Sequence, residues 1–359
     1  MVVNDALNLK GRGAQINTRN RFDKLIHERR ADFLEHYAKS EEEVDRKKTN
    51  YLTVYPKTIV NKITSPDVGM AYSLNPYQGC EHGCIYCYAR NSHEYWGFSA
   101  GVDFERQIMV KQNAHKLLET FITRKNWSPQ TIVLSGNADC YQPAERKFKL
   151  TRRCLEMMLK YKHPVGIITK NALILRDLDL LKELAKHNLV VVNFSVTTID
   201  EKTRRVLEPR TASVNRRLKT IKTLSDHGIP VRVMVAPIIP GINSHEILKM
   251  AKAVSEYGAL GIGHTIVRLN GAVGEIFTDW IHKAMPDKAN KVLNQIKACH
   301  GNSLNESRFK VRMRGEGPVA EQINNLMTIA KARYFKNKSL PDLKKDLFDP
   351  CPSGQLRLF

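Results

Sequence analysis

Three cysteines fall within eight residues of this 359-residue chain, in the string Asn75-Pro-Tyr-Gln-Gly-Cys80-Glu-His-Gly-Cys84-Ile-Tyr-Cys87-Tyr-Ala-Arg90, a C-x3-C-x2-C spacing. Thiolates are soft ligands that suit zinc and iron–sulfur clusters. Close spacing on a loop lets three of them converge on one centre, and the flanking Gly79 and Gly83 permit the tight turns this needs. A structural zinc site wants four ligands, commonly as two short pairs; here His82 or His93 would have to complete it. A cubane cluster held by three cysteines instead keeps one iron without a protein ligand, and that iron is a reactive position. The spacing favours the cluster, with zinc as the alternative.

The remaining cysteines, Cys140, Cys154, Cys299 and Cys351, are scattered, and the total of seven is odd. A disulfide framework is therefore a poor reading, and clustered thiols in a reducing compartment point to metal. Composition is that of a globular protein, 42% hydrophobic and 26% charged. No apolar run is long enough to cross a bilayer; the longest, Val231 to Ile242, is interrupted by Arg232 and two prolines. The start, Met1-Val-Val-Asn-Asp, has neither a charged lead nor an apolar core, so a cytoplasmic location without membrane association is expected. The formal charge is +21 with a pI near 9.7. Such an excess favours polyanionic partners, nucleic acid foremost, over a merely solvated basic surface. It concentrates in Arg204, Arg205, Arg210, Arg216, Arg217, Lys219 and Lys222, again in Arg308, Lys310, Arg312 and Arg314, and between Lys331 and Lys345.

The elements that must carry these residues follow a rhythm of short β-branched runs and longer amphipathic stretches. Strands are expected at Thr131–Ser135, Val165–Thr169, Leu189–Val196, Val231–Ile238 and Ile262–Leu269. Helices are expected between them at Leu150–Tyr161, Leu178–His187, Asn215–His227 and His245–Tyr257. Regular alternation implies parallel strands joined by right-handed crossovers. Gly258, Gly261 and Gly263 follow a helix and precede a strand, the reverse of a dinucleotide-binding fingerprint, and read as a plain connection. A barrel-like sheet with its chemistry at the carboxyl ends of the strands is preferred.

The cysteine triplet with Tyr86 before its last member is similar to the radical-SAM superfamily, and Asn75 to Arg90 as a whole resembles the spore-photoproduct-lyase-like subgroup. The resemblance runs from about Ser65 to the C-terminus. It includes Ser135-Gly-Asn-Ala-Asp139-Cys-Tyr-Gln-Pro-Ala-Glu145, Thr169-Lys-Asn-Ala-Leu-Ile-Leu-Arg176-Asp177, Ser195-Val-Thr-Thr-Ile-Asp200, Glu208-Pro-Arg210 and Ala236-Pro-Ile-Ile-Pro-Gly241. It implies a partial (β/α)6 TIM-like barrel and a [4Fe-4S] cluster on Cys80, Cys84 and Cys87, with S-adenosylmethionine (SAM) chelating the open iron. An electron from an external donor would then cleave SAM to a 5′-deoxyadenosyl radical that abstracts hydrogen from substrate. By the same resemblance Tyr86 lies near the adenine, Ser135, Gly136 and Asn137 near the methionine amine, and Ser195 near the ribose. Lys170 is the candidate partner of the SAM carboxylate. Glu208 and Arg210 are candidate SAM contacts whose charges are fixed across Pro209, with a structural salt bridge as the other reading.

The subgroup carries a threonine and a proline where Ala138 and Cys140 stand, which loosens any inference about substrate. Its hydrogen-donating thiol precedes the strand-end aspartate, whereas Cys140 follows Asp139, so Cys140 is a candidate donor set against a packed thiol. The terminal Gln355-Leu-Arg-Leu-Phe359 resembles the peptide by which bacterial polymerases and repair proteins dock on the sliding clamp; docking on the protein's own barrel is the other reading. The expected organisation is an N-terminal extension over 1–64, the barrel over 65–290, and a C-terminal helical segment and tail over 291–359. The expected function is radical SAM chemistry on nucleic acid, DNA first and lyase-like. The alternatives are modification of RNA, protein or a small molecule, and a non-catalytic metal-stabilised nucleic-acid-binding protein.

Overall fold

Runs of Val and Ile with two-residue periodicity become strands, and stretches with apolar residues at helical spacing become the helices that cover them. The computed structural model describes residues 11–23 and 48–352. Its strands, in chain order, are β1 (Asn50–Val54), β2 (Val60–Lys62), β3 (Tyr72–Leu74), β4 (Tyr77–Gln78), β5 (Gln107–Lys111), β6 (Ile132–Leu134), β7 (Val165–Thr169), β8 (Val190–Ser195), β9 (Val231–Ile238) and β10 (Gly261–Ile266). The longer helices are α1 (Ala114–Ile122), α2 (Leu150–Lys160), α3 (Leu178–Lys186), α4 (Val214–Asp226), α5 (Ile247–Glu256), α6 (Ala272–Ala284), α7 (Ala289–Ala298) and α8 (Pro318–Tyr334).

The main sheet runs β10-β9-β8-β7-β6-β3-β2. Strands β3 and β6 to β10 pair in parallel, and β2 adds an antiparallel edge. This is the expected partial barrel of six β/α units, open between its first and last strands. Strands β7 and β9 occupy the residues expected for them, and the other expected elements shift by a few residues at their ends. Strand β3 was not foreseen, since three residues carry no periodicity to read.

The outward faces of β6 to β9, including Leu134, Ile167, Val192, Phe194, Val233 and Val235, are sealed against Leu155, Leu181, Ile221 and Met250 of the helices. The inward faces are a different matter, since Val133, Gly166, Asn193, Ser195, Arg232, Met234, Gly263 and Thr265 line a cavity of about 1170 Å³. A closed barrel fills this space with bulky branched side chains. Here glycines and polar residues leave it empty. Gly263 therefore lies on β10 facing the cavity, not in a plain connection as its neighbours in sequence suggested.

Two segments trim the barrel. The open side is clasped where Asp67, in the loop after β2, accepts from Lys310 N (2.6 Å) and Arg312 Nε (2.5 Å), beside the pairing of Ile266 N with Met313 O. Beneath the amino ends of the strands, Lys344 N donates to Asn188 O and Asp349 N to Tyr161 O, which carries Leu340 and Leu343 into the cavity floor.

The boundary expected after residue 64 runs through sheet structure, because β2 is an edge of the barrel and β1 pairs with β5 in a small second sheet. Most of the helical potential near Phe22 to Ala38, and all of Gln355–Phe359, lie outside the described residues. Among the described residues no helix is long and apolar enough to cross a membrane.

Candidate active site

The cysteine loop follows β3 and the short β4, and is held by backbone and buried side chains rather than by its thiols. Cys80 N donates to Phe104 O, Ile85 N to Leu207 O, and Glu81 N to Gln142 Oε1. Gln142 Nε2 returns a bond to Gly79 O. Arg90, fully buried, donates through Nε and Nη2 to Cys84 O and pairs at 2.5 Å with the equally buried Glu105. Glu105 also accepts Gly13 N (3.1 Å) and Ala14 N (2.8 Å), which ties residues 11–23 to the loop. The approach is so close that a β-carbon on Gly13 would lie 1.8 Å from Gly83 O. Gly83 itself turns at φ +67°, in the left-handed region that favours glycine.

Cys80 and Cys84 are buried, Cys87 is half-buried, and all three line one end of the cavity. Burial, then Glu208 beside it, pushes the Cys84 thiol well up, and burial with Cys80 nearby raises Cys87. Metal binding would displace those protons. Among the described residues no group of three or more His, Cys, Asp or Glu converges where a single metal ion could sit. Neither histidine completes a zinc set. His93 packs between Phe98 and Phe104. His82 pairs with Asp139 at 3.4 Å, and although burial opposes its charge, Cys80 and Asp139 push it up to about 10. Three thiols gathered at one cavity without a fourth protein ligand fit a cluster with one open iron.

Beside the loop stands a wall built on Glu208. This fully buried carboxylate accepts from Tyr86 Oη, from Thr197 Oγ1 (2.7 Å) and from the buried Arg217, with Lys170 Nζ at 3.8 Å. Burial alone would raise its pKa, but Arg217, Lys170 and these hydrogen bonds hold it down at about 2. One carboxylate between two cations leaves one positive charge, and Lys170 presents it to the cavity. Across the cavity Ser135 closes β6 at φ +98°, an uncommon conformation for a residue with a side chain, and Gly136 follows at +127°. The Ser135 hydroxyl is already spent on Ile168 O (2.7 Å) and Cys140 N (3.0 Å). Asn75 Oδ1 fixes the turn by accepting Asn137 N and Ala138 N.

The residues expected from sequence thus separate. Tyr86, Ser135, Gly136, Lys170 and Ser195 join the three cysteines on the cavity lining. Asn137, Glu208 and Arg210 do not: Asn137 bonds Asn75 through its backbone, Glu208 braces Tyr86 and Lys170 from behind, and Arg210 faces Glu81 at 3.8 Å. Cys140 is packed in the core between sheet and helices and has no face on the cavity, so its thiol lacks the access a hydrogen donor needs. Asn75, Glu105, Arg90 and Arg217 had no role assigned from sequence. Asn75 and Arg90 at least bound the quoted cysteine string, whereas Glu105 acts on residues more than ninety positions away and Arg217 is hidden within a basic stretch.

At its open side the cavity is lined by Arg268, Arg312, Arg314, Lys331 and Arg232. Only Arg312 meets a carboxylate among the described residues, that of Asp67. Burial and the neighbouring Arg312 lower the pKa of Arg268.

These features can be set against known proteins. Residues 74–254, just over half of the chain, match the model of the radical SAM superfamily. An uncharacterized protein of Mycobacterium tuberculosis is 32% identical over 234 residues, covering 64% of this chain and 69% of that one. An uncharacterized protein of Methanocaldococcus jannaschii is 31% identical over 195 residues, 54% of this chain and 70% of its own. Among solved structures, spore photoproduct lyase complexed with dinucleoside spore photoproduct superposes with a TM-score of 0.60, covering 83% of each chain at 15% identity. At that identity the likeness is one of fold.

Proposed function

Because this chain belongs to the radical SAM superfamily, we propose that it is an enzyme acting on nucleic acid, with DNA as the first substrate class and a lyase-like reaction. When bound, the family's [4Fe-4S] cluster and SAM supply a carbon radical able to take a hydrogen atom, given an electron from an external donor. The chain's own residues bind, orient and exclude water. Cys80, Cys84 and Cys87 would hold the cluster. Lys170, carrying the uncompensated charge of the Glu208 wall, would receive the SAM carboxylate. Tyr86, fixed by Glu208 and Thr197, would border the adenine, and the exposed backbone of Ser135 and Gly136 would meet the amine.

The observation that carries the substrate reading is the cation-lined open side of a cavity that reaches the cysteines. Phosphate contacts dominate the affinity of nucleic-acid-binding proteins, and a net charge of +21 raises the local concentration of any polyanion. A nucleic acid reaching this interior must present a single nucleotide or strand, as enzymes working on bases do. A protein of the same fold carries a dinucleoside photoproduct, so such a barrel has room for a substrate of this size. Docking of Gln355–Phe359 on a sliding clamp is part of the same proposal, and retention of a tail fusion by purified clamp protein would test it. The main test is anaerobic reconstitution followed by measurement of 5′-deoxyadenosine in the presence of DNA, RNA or neither. Stimulation by nucleic acid is expected; equal turnover in all three would overturn the substrate reading.

A further inference from the structure

The lower end of the open side carries three cations crowded together without a counter-charge. Arg232 is the first inward residue of β9, and its guanidinium lies across β10. A β-carbon on Gly263 would stand 3.1 Å from Arg232 Nη2 and 3.0 Å from Met234 Sδ, so glycine there makes the room. Lys331 approaches from α8, and burial together with Arg314 and Arg232 lowers its pKa. Arg314 comes from the segment beside β10, where its carbonyl accepts Asn324 Nδ2 at 3.1 Å. Asn324 Oδ1 also meets His264 Nε2 at 2.8 Å, and burial, with Arg314 and Lys331 nearby, lowers the pKa of that imidazole.

None of the three side chains has a hydrogen bond or ion pair within the described residues. The acids on the cavity lining are Asp67 and Asp139, and both are committed, to Arg312 and to His82. Around the cysteine loop, by contrast, the buried charges are matched: Arg90 with Glu105, Arg217 with Glu208. Like charges held close without a carboxylate raise the free energy of the folded chain, and an arriving anion removes that repulsion.

We propose that Arg232, Arg314 and Lys331 form a phosphate-binding site at the end of the cavity remote from the cysteines. Its ligand is a phosphate carried by the substrate, either a phosphodiester of a strand or the phosphate of a mononucleotide. The site rests on the reading of this cavity as the substrate cavity, and it adds a fixed anchor that sets how far the reacting group lies from the cysteine end. Arg232 and Arg314 offer forked donors that match phosphate oxygens, and Lys331 a point charge.

The test uses the full chain with its cluster, held anaerobically, and follows binding of a labelled short oligothymidylate, a labelled oligouridylate, thymidine 5′-monophosphate and inorganic pyrophosphate. The variant R232M/K331M is compared with K182M/K291M, which removes the same charge from α3 and α7. Weakening of about tenfold or more in R232M/K331M, with a shallower salt dependence, and near-unchanged binding in K182M/K291M is expected. Binding of oligonucleotides that both variants retain equally would overturn the site and leave the nucleic-acid reading standing. Binding of the mononucleotide or pyrophosphate alone, lost in R232M/K331M, would support the site and overturn the nucleic-acid reading. Binding of none of the four by the wild type would overturn both.

Discussion

The two ends of this barrel treat charge in opposite ways. Around the cysteine loop, charges are buried and matched: Arg90 with Glu105, Arg217 and Lys170 with Glu208, His82 with Asp139. Along the open side, Arg232, Arg314 and Lys331 are exposed and face one another. Matched buried ions specify one arrangement and leave nothing for a partner to satisfy. Unmatched exposed ions contribute little to the fold and await a ligand of opposite sign. The first region looks built to hold its own geometry, the second to meet something from outside.

Substitutions at the two ends should therefore have effects of different kind and size. Replacing any one of Cys80, Cys84 or Cys87 with Ala should give the largest change, loss of the iron–sulfur chromophore, read as iron and sulfide per chain after anaerobic reconstitution. Glu105→Leu leaves Arg90 buried without its partner and should destabilise the fold by about 3–5 kcal/mol, read by urea denaturation, with reduced cluster retention.

Glu208→Gln should cost less, about 1.5–3 kcal/mol for lost hydrogen bonds to a charged group, and it changes the pH dependence. The folded Glu208 has its pKa lowered from 4.5 to about 2. Its ionisation therefore contributes stability that is fully present above 4.5 and disappears as the pH falls towards 2. Over that window the wild type should lose stability relative to Glu208→Gln, and parallel curves would show that the carboxylate is not held as described. The smallest effect belongs to the open side: R314M/K331M should change stability by no more than about 0.5 kcal/mol. A large loss there would mean that those cations serve the fold.

Much of this was legible in the chain because it is local. The cysteine spacing is contiguous, and β7 and β9 announce themselves as short runs rich in Val and Ile. What escaped depends on distance in sequence. Glu105 meets Arg90 and Gly13 only through folding, and Arg217 sits in a basic stretch that reads as surface yet is fully buried against Glu208. Arg204 in the same stretch is also buried, bonded to Glu201 and to the Glu208 carbonyl. Residue type could not separate these from the open-side cations; only the presence or absence of a facing carboxylate does. Cys140 looked chemical because it follows a strand-end aspartate, but the turn at Ser135 directs it behind the sheet, where Thr151 Oγ1 caps its carbonyl at 2.5 Å. Gly263 shows the converse: a glycine that reads as a connector serves to keep the barrel interior empty.

The most direct measurement is isotope transfer. Reconstituted protein would be supplied with SAM, a reductant and perdeuterated nucleic acid, and the 5′-deoxyadenosine formed would be weighed by mass spectrometry. Deuterium in the nucleoside is expected, since a nucleic acid held in this cavity is proposed as the source of the abstracted hydrogen. Release of unlabelled 5′-deoxyadenosine with every deuterated DNA and RNA offered, at a rate indifferent to their presence, would contradict the proposed action on nucleic acid.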